Sequence, residues 1–245
     1  MGAIGRWLVA RVRWLRAPEL RLLAILAVVV GLVLAFVALG SEVREGETLG
    51  FDRAILLFFR HTPSNPVGSH GVEAAAVHLS ALGSSAVTTL VALIAVAFLA
   101  LAGRRRYALL VGACAIGAGL WTTLLKHVYA RPRPDFVTQI DPAGGQSFPS
   151  GHSTIAAALY LTLAVMIART LPQQRLRVFV VATGALLALL IGLTRVYLGV
   201  HYPTDVLAGW TIGLAWALAC GLLARWLGGR GKVEAAGPAG DTPPT

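Results

Sequence analysis

The chain has 245 residues and a mass of 25.7 kDa; 56% of its residues are hydrophobic, only 13% are charged, and its mean hydropathy is +0.72. This balance excludes an intrinsically disordered chain, and with aperiodic glycine and only two cysteines it also excludes a collagen-like fibre and a disulfide-stapled secreted domain. The net charge of +10 would suit nucleic acid in a soluble protein, but here the basic residues fall mostly in short links between apolar runs. That pattern reads as membrane topology, with the bilayer and not nucleic acid as partner.

A crossing of the hydrocarbon layer takes about 20 apolar residues. Residues 1–21 form a basic arm carrying Arg6, Arg11, Arg13, Arg16 and Arg21, and residues 22–40 form the first expected span. Ala38, Leu39 and Gly40 resemble a signal cleavage site, yet the run exceeds the about 7–15 residues of a signal core, so an uncleaved anchor is expected. An outer loop follows over about 41–82, in which Phe51 to Arg60 is apolar with charges at its ends. It is too short to cross, and reads either as an interfacial helix or as a helix packed on the bundle. His61, His70 and His78 in this loop have no tight ligand spacing and read as surface residues. Further spans are expected at 84–102, 107–125, 153–168, 179–194 and 206–226, with Cys114 and Cys220 as core residues within them. The fold class is therefore all-α: a six-span transmembrane bundle over residues 22–227 with short interfacial helices. The tail 228–245, rich in Gly, Pro and Ala, is expected to be disordered. No internal repeat is present.

Six crossings place both ends on one side. Fourteen of the 21 Lys and Arg residues fall on the side of the termini, which the positive-inside rule makes the cytoplasm of a cell (inner) membrane protein. The other side holds eight of the eleven acids and seven bases. Four of those bases, Lys126, Arg131, Arg133 and Arg195, lie against span ends in opposition to the charge bias, as expected of residues with a task.

Three clusters collect at the extracytoplasmic ends of the spans. The first runs from Lys126 through His127, Tyr129 and Arg131 to Arg133 and Pro134. Each Pro biases the Arg before it toward extended backbone, where residues two apart face the same way, so Arg131 and Arg133 are expected to point together. An ammonium and one or two guanidinium forks in one space suit a phosphate. The second cluster, Gly144 to Thr154, leads into the fourth span: free amides at a helix start, Gly151 among them, form an anion site, Ser150 adds a hydroxyl, and His152 sits at the mouth. The third runs from Thr194 and Arg195 to His201 and Asp205, where a carboxylate four residues on can fix the imidazole tautomer. Each cluster alone admits a bland reading as snorkelling bases, helix caps or a capping histidine. Metal binding by His152, His201 and Asp205 competes, but two or three cations in the same space would repel a divalent ion.

Taken together, Lys126, six residues, Arg133 and Pro134, then Pro149, Ser150, Gly151 and His152, then Thr194, Arg195, five residues, His201, three residues and Asp205 form a recurrent pattern. The chain resembles the type 2 phosphatidic acid phosphatase superfamily of integral membrane lipid phosphatases. Thr194 stands where Ser is more usual, and Arg131 adds a second Arg-Pro. The resemblance implies that His201 attacks phosphorus to form a phosphohistidine with Asp205 orienting it, and that His152 protonates the leaving oxygen and then helps activate water. It assigns Lys126, Arg133, Ser150, Gly151 and Arg195 to the phosphoryl oxygens, with no metal and no cofactor. The implied substrate is a lipid phosphate monoester or pyrophosphate: undecaprenyl pyrophosphate, phosphatidylglycerophosphate, phosphatidic acid or the 1-phosphate of lipid A. Were Arg131 a second phosphate contact beside Arg133, a diphosphate would be favoured. A lipid phosphotransferase using the same intermediate is the nearest alternative. A six-span transporter is more distant, since no charge lies deep in an expected span.

Overall fold

The computed structural model describes residues 18–234. In chain order it contains α1 (Pro18–Glu45), α2 (Leu49–Phe58), the short antiparallel pair β1 (Arg60–Thr62) and β2 (Asn65–Pro66), and α3 (His70–Ala81). Then come α4 (Ser85–Leu101), α5 (Arg105–Tyr129), α6 (Gly151–Ala168), α7 (Gln174–Tyr197) and α8 (Pro203–Glu234). Five helices, α1 and α5 to α8, are long and apolar enough to cross a membrane alone. The 17 residues of α4 reach only about 26 Å at 1.5 Å per residue, short of the about 30 Å of hydrocarbon. It joins α3 through a 44° bend, and the pair together passes as a sixth span.

The bundle is organised around α6. Half of its apolar window is buried inside the protein against 6% for α1, so α6 is the hub and α1 a peripheral helix presenting apolar side chains to lipid. Glycines let neighbours approach it: a Cβ at Gly209 of α8 would lie 2.7 Å from the Ser150 carbonyl oxygen, and one at Gly184 of α7 2.7 Å from the Ala164 methyl. With no hydrophobic force between helices in lipid, such close backbone packing supplies the association. Indole donors complete it, Trp210 Nε1 donating to the Ala188 carbonyl at 3.0 Å and Trp216 Nε1 to that of Cys114 at 3.1 Å. Cys114 and Cys220 are both free and buried.

The outer loop departs from the sequence reading. Its apolar stretch forms α2 at Leu49–Phe58, and a second helix, α3, stands where no element was expected. The first helix runs on to Glu45, five residues beyond the expected span end, and its added turn buries Val43 with Phe36, Phe148 and Ala208. The last continues to Glu234, so helix replaces the disorder expected over 228–234. The rest of that tail, and the basic arm up to residue 17, lie outside the described residues.

Two details hold the loop to the site. Arg60 is buried, and its Nη1 donates to the Tyr197 carbonyl at 2.8 Å, capping the end of α7. Gly199 then turns the chain with φ +76°, and a Cβ there would lie 2.7 Å from Arg60 Nη2 and 3.1 Å from the Thr138 carbonyl. Both the backbone angle and the space demand glycine at that point.

Candidate active site

Because α5, α6, α7 and α8 alternate in direction, the end of α5, the start of α6, the end of α7 and the start of α8 meet at one end of the bundle. There Lys126, Arg133, Gly151, His152, Arg195 and His201 line a single cavity of about 380 Å³. Most of its remaining wall is supplied by α4 and α5, including Thr88, Thr89, Thr122 and Thr123, with Gly83, Ala143 and Ile155 completing it. The start of α6 is capped by Ser150, whose Oγ accepts from the Ser153 amide at 3.5 Å and the Ser153 hydroxyl at 3.1 Å. Fully buried by this capping, Ser150 lies outside the cavity lining. The Gly151 position does line it, at the positive end of the hub helix.

His201 has an assignable tautomer. Arg133 Nη1 lies 3.1 Å from His201 Nε2, and a guanidinium can only donate. Nε2 is therefore the acceptor, the ring proton sits on Nδ1, and Nδ1–H donates to Asp205 Oδ2 at 3.3 Å. The same carboxylate oxygen accepts from the Tyr202 amide at 2.9 Å, which fixes Asp205 independently of the imidazole. Burial first, then the charges of Arg133, Arg195 and Lys126, hold the His201 imidazole well below its ordinary value of 6.5. The ring is thus a free base throughout the neutral range.

The three cations are held by different means. Lys126 Nζ donates to the Gln146 carbonyl at 2.5 Å. Arg133 donates to the carbonyls of Gly144 and Gly145 through Nε at 3.2 and 3.1 Å, and to that of Val200 through Nη1 at 2.6 Å. Arg195 is 3% exposed; its Nη1 donates to Ser80 Oγ at 2.6 Å and to Asp141 Oδ2 at 3.4 Å. Among the described residues, Arg195 Nε is one of two buried side-chain polar atoms without a partner. Arg195 lines the cavity with two other cations, and three positive side chains in one space fit an anion.

Arg131 is placed differently from its expected position beside Arg133. The structure turns it away from the cavity, at 7% exposure, onto two fully buried carboxylates. Nη1 donates to Asp205 Oδ1 at 2.7 Å and to Thr204 Oγ1 at 2.8 Å, and Nη2 donates to Asp52 Oδ2 at 2.7 Å. Its guanidinium carbon stands 3.9 Å from the centre of the Tyr202 ring. The physical reason is charge: Asp52 and Asp205 are both buried, and one bidentate cation between them satisfies both. Asp52 also accepts from the Thr204 amide at 3.0 Å, so α2 is fastened directly to the first turn of α8.

Asp52, Ser80, Asp141 and Thr204 escaped the sequence reading. Asp52 left one signal: it lies four residues before Leu56, on the face of α2 that the protein buries. A carboxylate on an apolar face needs a partner. Ser80 and Asp141 left none, for nothing local ties either to Arg195.

The depressed His201 value has a measurable consequence. The unfolded chain takes up a proton on this residue below about pH 6.5 that the native chain refuses, so its effect on stability is nil above that pH and unfavourable as the pH falls below it. Were Nε2 to act as a nucleophile, the same protonation would remove its lone pair and set the acid limb of kcat/KM below 6.5. Arg133→Gln deletes one of the charges that lower it and is expected to move the limb to higher pH, whereas Arg133→Lys leaves it nearer its place. The substrate's own ionisation is common to all three profiles. A limb that stays put in Arg133→Gln would contradict the assignment.

Comparisons with known proteins identify the family and the fold. The model of the PAP2 superfamily matches residues 107–228. Phosphatidylglycerophosphatase B of Bacillus subtilis is 41% identical over 98 residues, which are 39% of this chain and 47% of that protein. Decaprenylphosphoryl-5-phosphoribose phosphatase of Mycobacterium tuberculosis is 33% identical over 146 residues, 58% of this chain and 75% of that one. The crystal structure of a transmembrane PAP2 type phosphatidylglycerolphosphate phosphatase from Bacillus subtilis superposes with a TM-score of 0.72 at 26% identity, covering 86% of this chain and 98% of the other. The chain spans about half the length, or less, of the first curated relatives it matches. On the family match, on a relative of which it covers three quarters and on a fold shared along almost the whole of a solved neighbour, this chain belongs to the PAP2 superfamily.

Proposed function

We propose that this protein hydrolyses the terminal phosphate of a membrane lipid through a phosphohistidine on His201. The carrying observation is that three cations, two imidazoles and a helix start line one small cavity, with the His201 lone pair defined by Asp205 on one side and Arg133 on the other. In the first step Arg133 Nη1 swings from Nε2 onto a phosphoryl oxygen, Nε2 bonds to phosphorus, and the bond from phosphorus to the lipid oxygen breaks. His152 delivers its proton to that oxygen. In the second, water attacks phosphorus, the N–P bond breaks, and His152 takes the water's proton. Lys126, Arg133 and Arg195, with the Gly151 amide, stabilise the charge gathered on the equatorial oxygens. Asp205 keeps the nucleophile's proton on Nδ1 and supports the charge that develops on the ring.

The site lies at the bundle end away from most of the Arg and Lys residues, so the charge bias supports an extracytoplasmic site with both termini in the cytoplasm. With Arg131 committed to Asp52 and Asp205, three cations remain for the substrate. One of them, Arg195, is paired with Asp141, so the set presents a net +2 that balances a phosphate monoester dianion and not the third charge of a diphosphate, which favours a glycerolipid phosphate monoester over an isoprenyl diphosphate. Three of the four threonines of the α4 and α5 wall return their hydroxyl hydrogens to their own helices, Thr88 to the Ser84 carbonyl at 2.7 Å, Thr122 to that of Ala118 at 2.8 Å and Thr123 to that of Gly119 at 3.0 Å. That wall offers methyl groups to the lipid body rather than unsatisfied donors.

Purified protein assayed against phosphatidic acid, phosphatidylglycerophosphate and an isoprenyl diphosphate in excess chelator tests this. Free phosphate is expected from all active substrates, with the monoesters showing the higher kcat/KM. Activity abolished by chelator and restored by zinc, or product recovered only as a newly phosphorylated lipid, would overturn the hydrolytic metal-independent reading. A diphosphate preference would overturn the substrate class.

A further inference from the structure

The bundle end opposite the phosphate cavity carries a second, larger cleft of about 650 Å³, lined by α1, α5, α6 and α8. Its rim bears Arg106 at the start of α5, Arg169 just past α6 and Arg225 on α8, with Tyr107 beside them. Among the described residues no Asp or Glu lines it. Below the rim the lining is apolar apart from Thr162 and follows α6 from position 161 to Arg169 and α8 from position 214 to Arg225. At 1.5 Å per residue those stretches are about 12 and 16 Å long, the depth of one leaflet of an about 30 Å hydrocarbon layer.

The cleft exists because α6 and α8 diverge. Near the phosphate cavity they are in backbone contact, a Cβ at Gly209 or Gly213 colliding with the carbonyl of Ser150 or Thr154. Two turns further along α8, Gly221 lines the cleft and a Cβ there would meet nothing within 4 Å. Small residues that make tight contact at one end leave open space at the other. The result is a wedge, apolar inside and cationic at its mouth, facing the leaflet remote from the catalytic residues.

We propose that this wedge binds one anionic diacyl phospholipid of that leaflet, its phosphate among Arg106, Arg169 and Arg225 and an acyl chain alongside Gly221. Charge selects the headgroup: three guanidiniums without a lining carboxylate favour an anionic phosphodiester over a zwitterion, whose own cation would face like charge. The basic arm of the same chain, with five arginines among its first 21 residues, carries the wrong sign to occupy it. The volume lies within the about 300–1,000 Å³ of small-molecule sites. This site goes beyond the proposed phosphatase activity and does not require it.

Native mass spectrometry of the full chain, released from detergent with phosphatidylglycerol or phosphatidylcholine of identical acyl chains, tests the proposal. One retained phosphatidylglycerol is expected, with a preference over phosphatidylcholine of roughly tenfold or more. The triple variant R106Q/R169Q/R225Q is expected to lose that preference, and Gly221→Leu to reduce retention by filling the wedge with the charges intact. Excess orthophosphate, which competes at the phosphate cavity, is expected to leave retention unchanged. Equal retention of the two lipids by wild type, undiminished retention by both variants, or displacement by orthophosphate would each overturn it.

Discussion

His201→Ala is expected to lower phosphate release by at least about 10⁴-fold and to abolish the phosphoenzyme, because of the two imidazoles that line the cavity His201 alone has a carboxylate behind it, with Nε2 left as the acceptor. Removing the ring leaves Lys126, Arg133 and Arg195 in place, so lipid phosphate should still bind, and the loss should fall on kcat rather than KM. His152→Ala separates the two steps. With a lipid substrate, whose alkoxide leaves poorly, both formation and hydrolysis of the phosphoenzyme should fail. An aryl phosphate needs little protonation of its leaving group, so the first step should then survive while the second, which needs a base for water, stalls. Rapid quenching in alkali, which preserves phosphohistidine, should trap phosphoenzyme in His152→Ala with the aryl substrate and none in His201→Ala. Phosphoenzyme in His201→Ala, or substantial turnover by it, would move the nucleophile elsewhere and end the proposed mechanism.

The legible parts of this molecule were those whose signal is local. Long apolar runs disclosed five spans because hydrocarbon admits little else, with errors at ends such as Glu45 and Glu234 where helices continue into polar sequence, while the expected span at 84–102 is a short helix that passes only with α3 across a 44° bend. The loop helix α3 was not legible: it carries Glu73 and His78 between alanines and has no long apolar run. The cations and imidazoles that line the cavity lie within short stretches of three motifs, so Lys126, Arg133, His152, Arg195 and His201 could be named before their convergence was visible. Their supports could not. Arg195 meets Ser80 across 115 residues and Asp141 across 54, and Arg131 meets Asp52 across 79. The orientation of Arg131 shows the limit of a local rule. Extended backbone made it parallel to Arg133, but two buried carboxylates outweigh a backbone preference, since an unpaired buried charge costs several kcal/mol.

That placement gives Arg131→Ala an effect second only to loss of the nucleophile. The substitution strands Asp52 and Asp205, both fully buried, without their shared cation, a change of about 3–5 kcal/mol by the measure of broken buried ion pairs. Thermal unfolding in detergent should register it as a large drop in midpoint. Activity should fall as well, since Asp205 then holds the His201 ring with only the Tyr202 amide to fix the carboxylate. Because Arg131 touches no cavity wall, the loss should lie in kcat, with KM little changed and with equal loss on a monoester and a diphosphate. Arg131→Lys is informative here, for a single ammonium retains the charge but cannot fork to both carboxylates. It should recover part of the stability and less of the activity. Asp52→Asn should move the same two quantities in the same direction as Arg131→Ala but by less, since Arg131 keeps Asp205 at 2.7 Å. A selective rise in KM for the diphosphate, at unchanged stability, would instead return Arg131 to the substrate and refute its role as the brace between the loop helix and the nucleophile's carboxylate.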